Sequence, residues 1–394
     1  MVFTMETGEL LRDLAIMFVA AKVAGAVFEK LKQPAVIGEL LVGILLGPHL
    51  LEAIGHSETH ETFQELGAII LLFAVGLDTP LSDLKAVGAR SIAVGGAGIV
   101  LPFALGVALI SLTSHSTNEA LFVGAAMVAT SVGVTARVLS DLGRIKEEES
   151  RVILGAAVVD DILGLLILAV VAGAAEGSIS IGSVVLLALL AIAFVGLVGG
   201  LGPRLVSFAT PMLDRIGERG VLVVALALCL ALAATADELG LAAIIGAFLA
   251  GMALAETRDR YRLEEHLAPI YSFLVPFFFV VTGSLVDLSV FGDADVLFLT
   301  LGVISVAVVG KLVGCGLAAA PMGRRSAAIV GVGMVPRGEV GILVATIGLT
   351  RGIIGEDLYT IVVAMSVITT LLVPPLLAGL FRGRPPSGEG RRGR

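Results

Sequence analysis

Thirteen apolar stretches follow one another along this chain, separated only by short polar connections: 9–29, 34–51, 62–78, 89–113, 118–140, 150–174, 180–202, 218–237, 239–256, 266–287, 295–320, 326–350 and 357–381. A helix crossing a bilayer needs roughly 20 mostly apolar residues, and the second, third and ninth fall short. In water the chain could not bury them, since 57% of its 394 residues are hydrophobic and 15% charged, against about a quarter charged in soluble domains. The same composition excludes intrinsic disorder. A net charge of −8 with no basic block before the tail excludes a nucleic-acid-binding protein. Long unbroken runs, not alternating short ones, exclude a β-barrel. The chain therefore reads as an all-α polytopic membrane protein of about 13 transmembrane helices.

Its basic residues orient it. Lys30 and Lys32, Lys85 and Arg90, Arg144, Lys146 and Arg151, Arg204, Arg215 and Arg219, Arg258, Arg260 and Arg262, Arg324 and Arg325, and the tail arginines occupy alternate connections. The opposite set holds only Arg351. Short Lys/Arg-rich loops stay cytoplasmic. The N-terminus is expected outside and the C-terminus inside, as an odd number of spans requires. Glu6 and Glu9 precede the first basic residue, Arg12, so the start does not read as a cleaved signal. Cys229 and Cys315 both sit in apolar runs and indicate no disulfide framework.

Two spans are broken at their centres. The fifth reads MVATSVGVTARVL, with Thr130, Ser131, Gly133 and Thr135; the twelfth reads GVGMVPRGEVG, with Pro336 and four glycines. They lie seven spans apart, an odd offset that gives two copies of opposite orientation. Interrupted helices at matching places in inverted halves point to a transporter's binding site. The expected architecture is two inverted-topology repeats with crossed broken helices. One bundle comprises 81–177 and 291–382, the other 1–80 and 215–290, with 178–214 as linker helix and 383–394 as a disordered cytoplasmic tail. Lys311, Arg337 and Glu339 are candidates to compensate the half-helix dipoles.

Asp160 and Asp161 lie at the centre of the sixth span, and Lys311 at mid-depth of the eleventh. Ionisable groups at such depth are expensive and usually functional. Neighbours on a helix point about 100° apart, so the two aspartates face different surroundings. A carboxyl in low dielectric exchanges its proton near neutral pH and, once ionised, offers oxygen to a hard cation. Proton and cation then compete for one group, and with alternating access that competition produces antiport. A buried ammonium calls for a carboxylate partner, and either aspartate qualifies. Release of a proton from the carboxyl and another from the lysine would move two protons per cation.

These stretches resemble bacterial sodium/proton antiporters of the monovalent cation:proton antiporter superfamily, of the NapA kind and more distantly NhaA. The match runs in order through QPAVIGELLVGILLGP at 33–48, LGAIILLFAVGLD at 66–78, ATSVGVTARVLSDLG at 129–143, ILGAAVVDDILGL at 153–165, GKLVG at 310–314 and GVGMVPRGEVG at 331–341. The resemblance implies an NhaA-type fold and a homodimer in which the core bundle slides like an elevator against the other, dimerising bundle. It implies that Asp161 binds the ion, that Asp160 pairs with Lys311 or joins the ion, and that Thr130 and Ser131 form the polar break beside it. Glu339 matches an acidic position of the family pattern. The Asp-Asp pair implies electrogenic exchange of Na+ or Li+ for protons, in a bacterial or archaeal inner membrane. No cofactor and no nucleotide are implied, and the chain ends too soon after its last span for a cytosolic nucleotide-binding domain.

Blander readings accompany these. Arg337 and Glu339 read equally as a structural charge network, and Thr130 and Ser131 as caps. Glu39 reads as structural or at a cavity mouth. Arg12, Asp13 and Arg137 lie near helix ends and read as snorkelling groups. The loop HSETH, with His56 and His60, reads as solvated. Rival functions are a cation channel, a K+/H+ antiporter, an organic-anion carrier and an intramembrane aspartyl protease. The last needs a Gly-x-Gly-Asp signature, and the Gly292-Asp293 pair has Val290 at the first position.

Overall fold

A backbone in hydrocarbon must satisfy its own hydrogen bonds, so each apolar run has little choice but helix. The computed structural model describes residues 7–382 apart from 32, 56, 114, 176–180, 286–293 and 338, and within helices omits some side chains, Glu339 among them. The described residues form fourteen α-helices and no strand: α1 (Thr7–Lys30), α2 (Ala35–Leu46), α3 (Glu58–Leu77), α4 (Leu81–Ser111), α5 (Thr117–Ala126), α6 (Val132–Asp141), α7 (Glu148–Ala175), α8 (Ile181–Glu238), α9 (Ala243–Leu254), α10 (Leu263–Ser284), α11 (Ala294–Ala318), α12 (Arg324–Gly333), α13 (Glu339–Thr350) and α14 (Glu356–Phe381). Seven of these are long and apolar enough by themselves to cross a membrane. Each of the thirteen runs falls on one helix, on half of α8, or on a pair of half-helices.

The two broken spans are the pairs α5/α6 and α12/α13. The sequence explains where α5 starts. Ser116 accepts from the Glu119 amide, and the Glu119 carboxylate takes the Ser116 amide in return, a reciprocal capping box. The connection between the seventh and eighth runs, where Arg204 and Arg215 fall, continues the helix as far as Gly217, where φ 71 and ψ 170 bend α8 sharply. Pro203 and Pro211 sit inside this helix.

Packing sorts the helices. α3 lies against α9 and α10, α2 against α1 and α10, and α8 against α9. Separately, α4 packs on α7 and α11, α5 on α4, α7 and α13, and α14 on α11, α12 and α13. The two groups meet chiefly where α6 and α7 face α2, α3 and α8. Glycine makes the closest crossing possible. A Cβ on Gly251 of α9 would stand 2.2 Å from the Phe73 carbonyl oxygen of α3, and one on Gly76 2.3 Å from that of Phe248. Two helix backbones in contact at that range form a stiff wall, since lipid supplies no hydrophobic force to close a looser one.

That crossing sets a test. Gly251→Ala costs about 1–3 kcal/mol through overpacking and lowers the thermal unfolding midpoint in detergent. Gly96→Ala on α4, where nothing lies within 4 Å, leaves the midpoint unchanged or raises it. Equal midpoints for the two variants would mean that the α3–α9 crossing is not tight.

Candidate functional site

The two helix breaks touch. The Ser131 amide donates to the Pro336 carbonyl at 2.8 Å, so the interrupted stretches cross backbone to backbone. Threonines complete the join. Thr135 Oγ1 donates to the Gly333 carbonyl at 2.6 Å and Thr130 Oγ1 to that of Met334 at 3.3 Å. These are the carbonyls that end α12 and would otherwise be orphans. From α14, Thr369 accepts the Arg337 amide at 3.1 Å and Thr370 donates to the Arg337 carbonyl at 2.7 Å.

Arg337 does for α5 what the threonines do for α12. Its Nη1 donates to the carbonyls of Val128 and Ala129 at 3.4 and 3.0 Å, and Nη2 to that of Ala307 on α11 at 3.2 Å. A guanidinium at a helix C-terminus offsets the negative end of the dipole. The side chain is fully buried, and the hydrogen bonds found for it go to carbonyl oxygens. The anticipated network of Arg337 with Glu339 is not placed, because the Glu339 side chain lies outside the described residues. Ser131 occupies the position preceding α6, yet its side chain makes no capping bond, and among the described residues its buried Oγ finds no hydrogen-bond partner.

Beside this crossing, α7 turns its two aspartates in different directions. Asp160 points to α11, where Lys311 Nζ donates to its Oδ1 at 2.7 Å, and both residues are 0% exposed. Among the described residues, Asp160 Oδ2 finds no hydrogen-bond partner. The lysine stem fits because α4 carries Gly98 there; a Cβ would lie 2.5 Å from Cys315 Sγ and 3.3 Å from Lys311 Nζ. Asp161, 5% exposed, lines a cavity of about 10 Å3, room for about one water. Its walls are Leu72 of α3, Val132 of α6, Ala157 of α7 and Ile244, Ile245 and Phe248 of α9. The carboxylate thus borders, at the seam between the two helix groups, a cavity whose other lining residues are apolar.

Other charges are placed differently from the reading of the sequence. Asp13 and Arg137, read as snorkelling, are 1% and 9% exposed. Arg137 of α6 donates to Asp141 at 3.1 Å and to the Tyr271 hydroxyl at 3.0 Å, and stands 3.9 Å from Glu39. His60, read as part of a solvated loop, is buried in the first turn of α3, hydrogen-bonded to the Gly55 carbonyl and 4.0 Å from Asp13. His56 lies outside the described residues. The signal for the first cluster was present. Glu39 and Arg137 are opposite charges at similar depth, near the same end of the second and fifth spans. Thr369 and Thr370 were missed, because hydroxyls in an apolar run look innocuous until a carbonyl needs one.

Two broken helices crossing around buried charges inside an apolar helical bundle define a secondary transporter. Comparison with known proteins narrows this. Residues 17–382 match the family described as sodium/hydrogen exchanger, transmembrane, and the chain belongs to that family of monovalent cation:proton antiporters. It is 36% identical over 378 residues to the Na(+)/H(+)-K(+) antiporter GerN of Bacillus cereus, covering 95% of this chain and 96% of GerN. To the high-affinity Na(+)/H(+) antiporter NhaS3 of Synechocystis it is 35% identical, covering 95% and 90%. Its fold matches that of the sodium proton antiporter MjNhaP1 from Methanocaldococcus jannaschii, with a TM-score of 0.66, 18% identity and 94% and 98% of the two chains covered.

The Asp160–Lys311 pair makes its own test. Lys311→Gln strands a buried carboxylate and costs about 3–5 kcal/mol. Adding Asp160→Asn to it recovers most of the loss, because neither charge is then left unpaired. Thermal unfolding of the single and double variants in detergent measures both. A double variant no more stable than the single would show that the pair is not what holds α7 to α11.

Proposed function

We propose that the protein exchanges Na+, and Li+, for protons, with Asp161 as the group for which the two ions compete. The observation that carries the reading is the different surroundings of the adjacent aspartates. Asp160 is paired with Lys311, whereas Asp161 borders a small apolar-walled cavity at the seam. A carboxylate so placed gains from either a proton or a desolvated cation. The sodium/proton relatives support this choice of substrates.

The cycle follows from the charges. A cation arriving at Asp161 displaces its proton. As the site forms, Asp160 turns an oxygen to the cation, with Thr130 and Ser131 at the adjacent break contributing backbone or hydroxyl oxygen. Lys311, fully buried and losing its partner, gives up a proton. Two protons leave per cation, so one net charge crosses, and the membrane potential contributes about 2.3 kcal/mol per 100 mV. Arg337 keeps the broken helices together while the charges change. Glu339 sits at the start of α13 and belongs to the same core.

The moving body in this reading is 81–177 with 291–382, and the static one is 1–80 with 215–290. The segment 178–214 links them, and two static bodies pair in a homodimer. The alternation of basic loops supports an outside N-terminus, a cytoplasmic C-terminal tail at 383–394, and residence in a bacterial or archaeal inner membrane. Potassium is the second reading for the cation, favoured by the similarity to GerN, whose name includes K(+).

The test is proton efflux from proteoliposomes with an acid interior, after external Na+, Li+ or K+ and at clamped potential. Na+ and Li+ are expected to collapse the gradient, faster with the interior positive, and Asp161→Asn to abolish the response. Cation-driven efflux that survives Asp161→Asn would remove Asp161 from the site. A response indifferent to the potential would remove the second proton and, with it, the role given to Lys311.

A further inference from the structure

Arg137 sits where the two helix groups meet at the cytoplasmic end. It belongs to α6, the half-helix whose first residue, Val132, lines the Asp161 cavity. Its partners fall into two kinds. Asp141, at 3.1 Å, is one turn further along the same helix and moves wherever Arg137 moves. Tyr271, whose hydroxyl accepts at 3.0 Å and whose ring lies 5.3 Å from the guanidinium carbon, belongs to α10. Glu39, 3.9 Å away, belongs to α2.

We propose that Arg137 is a positioning residue that latches α6 to α2 and α10 and releases it once per transport cycle. The inference rests on the two-body reading above. Three features suit the group to that role. Asp141 keeps the guanidinium paired when Tyr271 and Glu39 are left behind, so no bare charge is dragged through the seam. The bond to Glu39 is weak by geometry, beyond hydrogen-bond range, and among the described residues Glu39 Oε2 finds no hydrogen-bond partner although the residue is only 2% exposed. A latch held by the best available pair would not open. Finally, Arg137, Asp141 and Tyr271 line a cavity of about 220 Å3 that also reaches Asp78, Arg258 and Glu264. Water there solvates the partners as they separate.

The latch works at a distance from the ion. Asp161 faces Leu72, Ile244, Ile245 and Phe248 of α3 and α9, and Gly133 of α6 rests on the Phe278 ring of α10. While Arg137 holds α6 down, these surfaces stay in contact and the cavity stays closed. Loss of the latch therefore changes how often the cavity opens, and leaves its ion contacts alone.

The experiment reads opening directly. Ala157, buried in the wall of the Asp161 cavity, is replaced by cysteine in the full chain in proteoliposomes. A membrane-impermeant methanethiosulfonate reagent is applied, and the parent protein with Cys229 and Cys315 gives the background. Tyr271→Phe and Glu39→Gln, each keeping the shape of its side chain, are expected to raise labelling about fivefold or more, the scale of a coupling between distant groups. The concentration of Na+ at half-maximal exchange stays within about twofold while turnover changes, as for an interaction not made with the ion. Asp141→Asn, which removes the partner that travels with Arg137, leaves labelling within about twofold, whereas a merely structural cluster would respond alike to all three. Unchanged labelling in both Tyr271→Phe and Glu39→Gln, or an equal rise with Asp141→Asn, overturns the latch. Exchange that persists in Asp161→Asn overturns the ion site instead, and the labelling result is read independently of it.

Discussion

A carbonyl at the end of a helix in mid-membrane has neither the next turn nor water to bond to, and two such ends lie at the centre of this protein. Everything near the candidate site serves them. Arg337 takes the end of α5, Thr130 and Thr135 take the end of α12, and Thr369 and Thr370 grip the second break from α14. The solution is costly, since it buries a guanidinium completely. In return it leaves an irregular stretch of backbone at a depth where only helix is otherwise tolerated. That stretch starts α6, and the first residue of α6 lines the Asp161 cavity. The site exists because the breaks are paid for.

Seen from this constraint, the charges form two layers with different duties. Arg337 answers to fixed dipoles, and nothing in a transport cycle removes them, so a permanently charged guanidinium is the suitable group. Lys311 answers to Asp160, a carboxylate that in the proposed cycle turns to the cation, and lysine differs from arginine in being able to lose its proton. An arginine at 311 would satisfy Asp160 as a static pair and could take no part in proton exchange. A lysine at 337 would lack the fork that reaches Val128, Ala129 and Ala307 at once. The assignment of residue types to positions is thus an argument about which charges have to move.

Much of this was legible in the sequence, and the reason is the membrane. Hydrocarbon penalises irregular backbone and buried charge so heavily that each exception stands out: the Gly and Pro at 331–341, the polar run at 130–135, the charges at 160, 161 and 311. The alternating basic loops fixed the count of spans for the same reason. What escaped notice were groups whose meaning depends on who faces them. Thr369 and Thr370 are unremarkable until Arg337 needs its backbone held. Asp13 and His60 lie 47 positions apart on α1 and α3 yet come within 4.0 Å, and no spacing rule joins them.

Arg137 shows the limit from the other side. Position near a helix end suggested a side chain reaching for water, and it does line a cavity of about 220 Å3. Yet its partners lie on both helix groups, so its energy depends on their relative position and not on depth alone. A charge that snorkels is indifferent to sliding of one bundle against the other. A charge whose hydrogen bonds straddle the seam opposes sliding until they break. For a carrier this resistance has a use: a seam without it would open whether or not the site was filled, and cation and proton would leak past each other uncoupled. Coupling requires that the occupied carboxylate lower the barrier and the empty one not. A latch of moderate strength, placed one helix away from Asp161, sets the height from which that lowering starts.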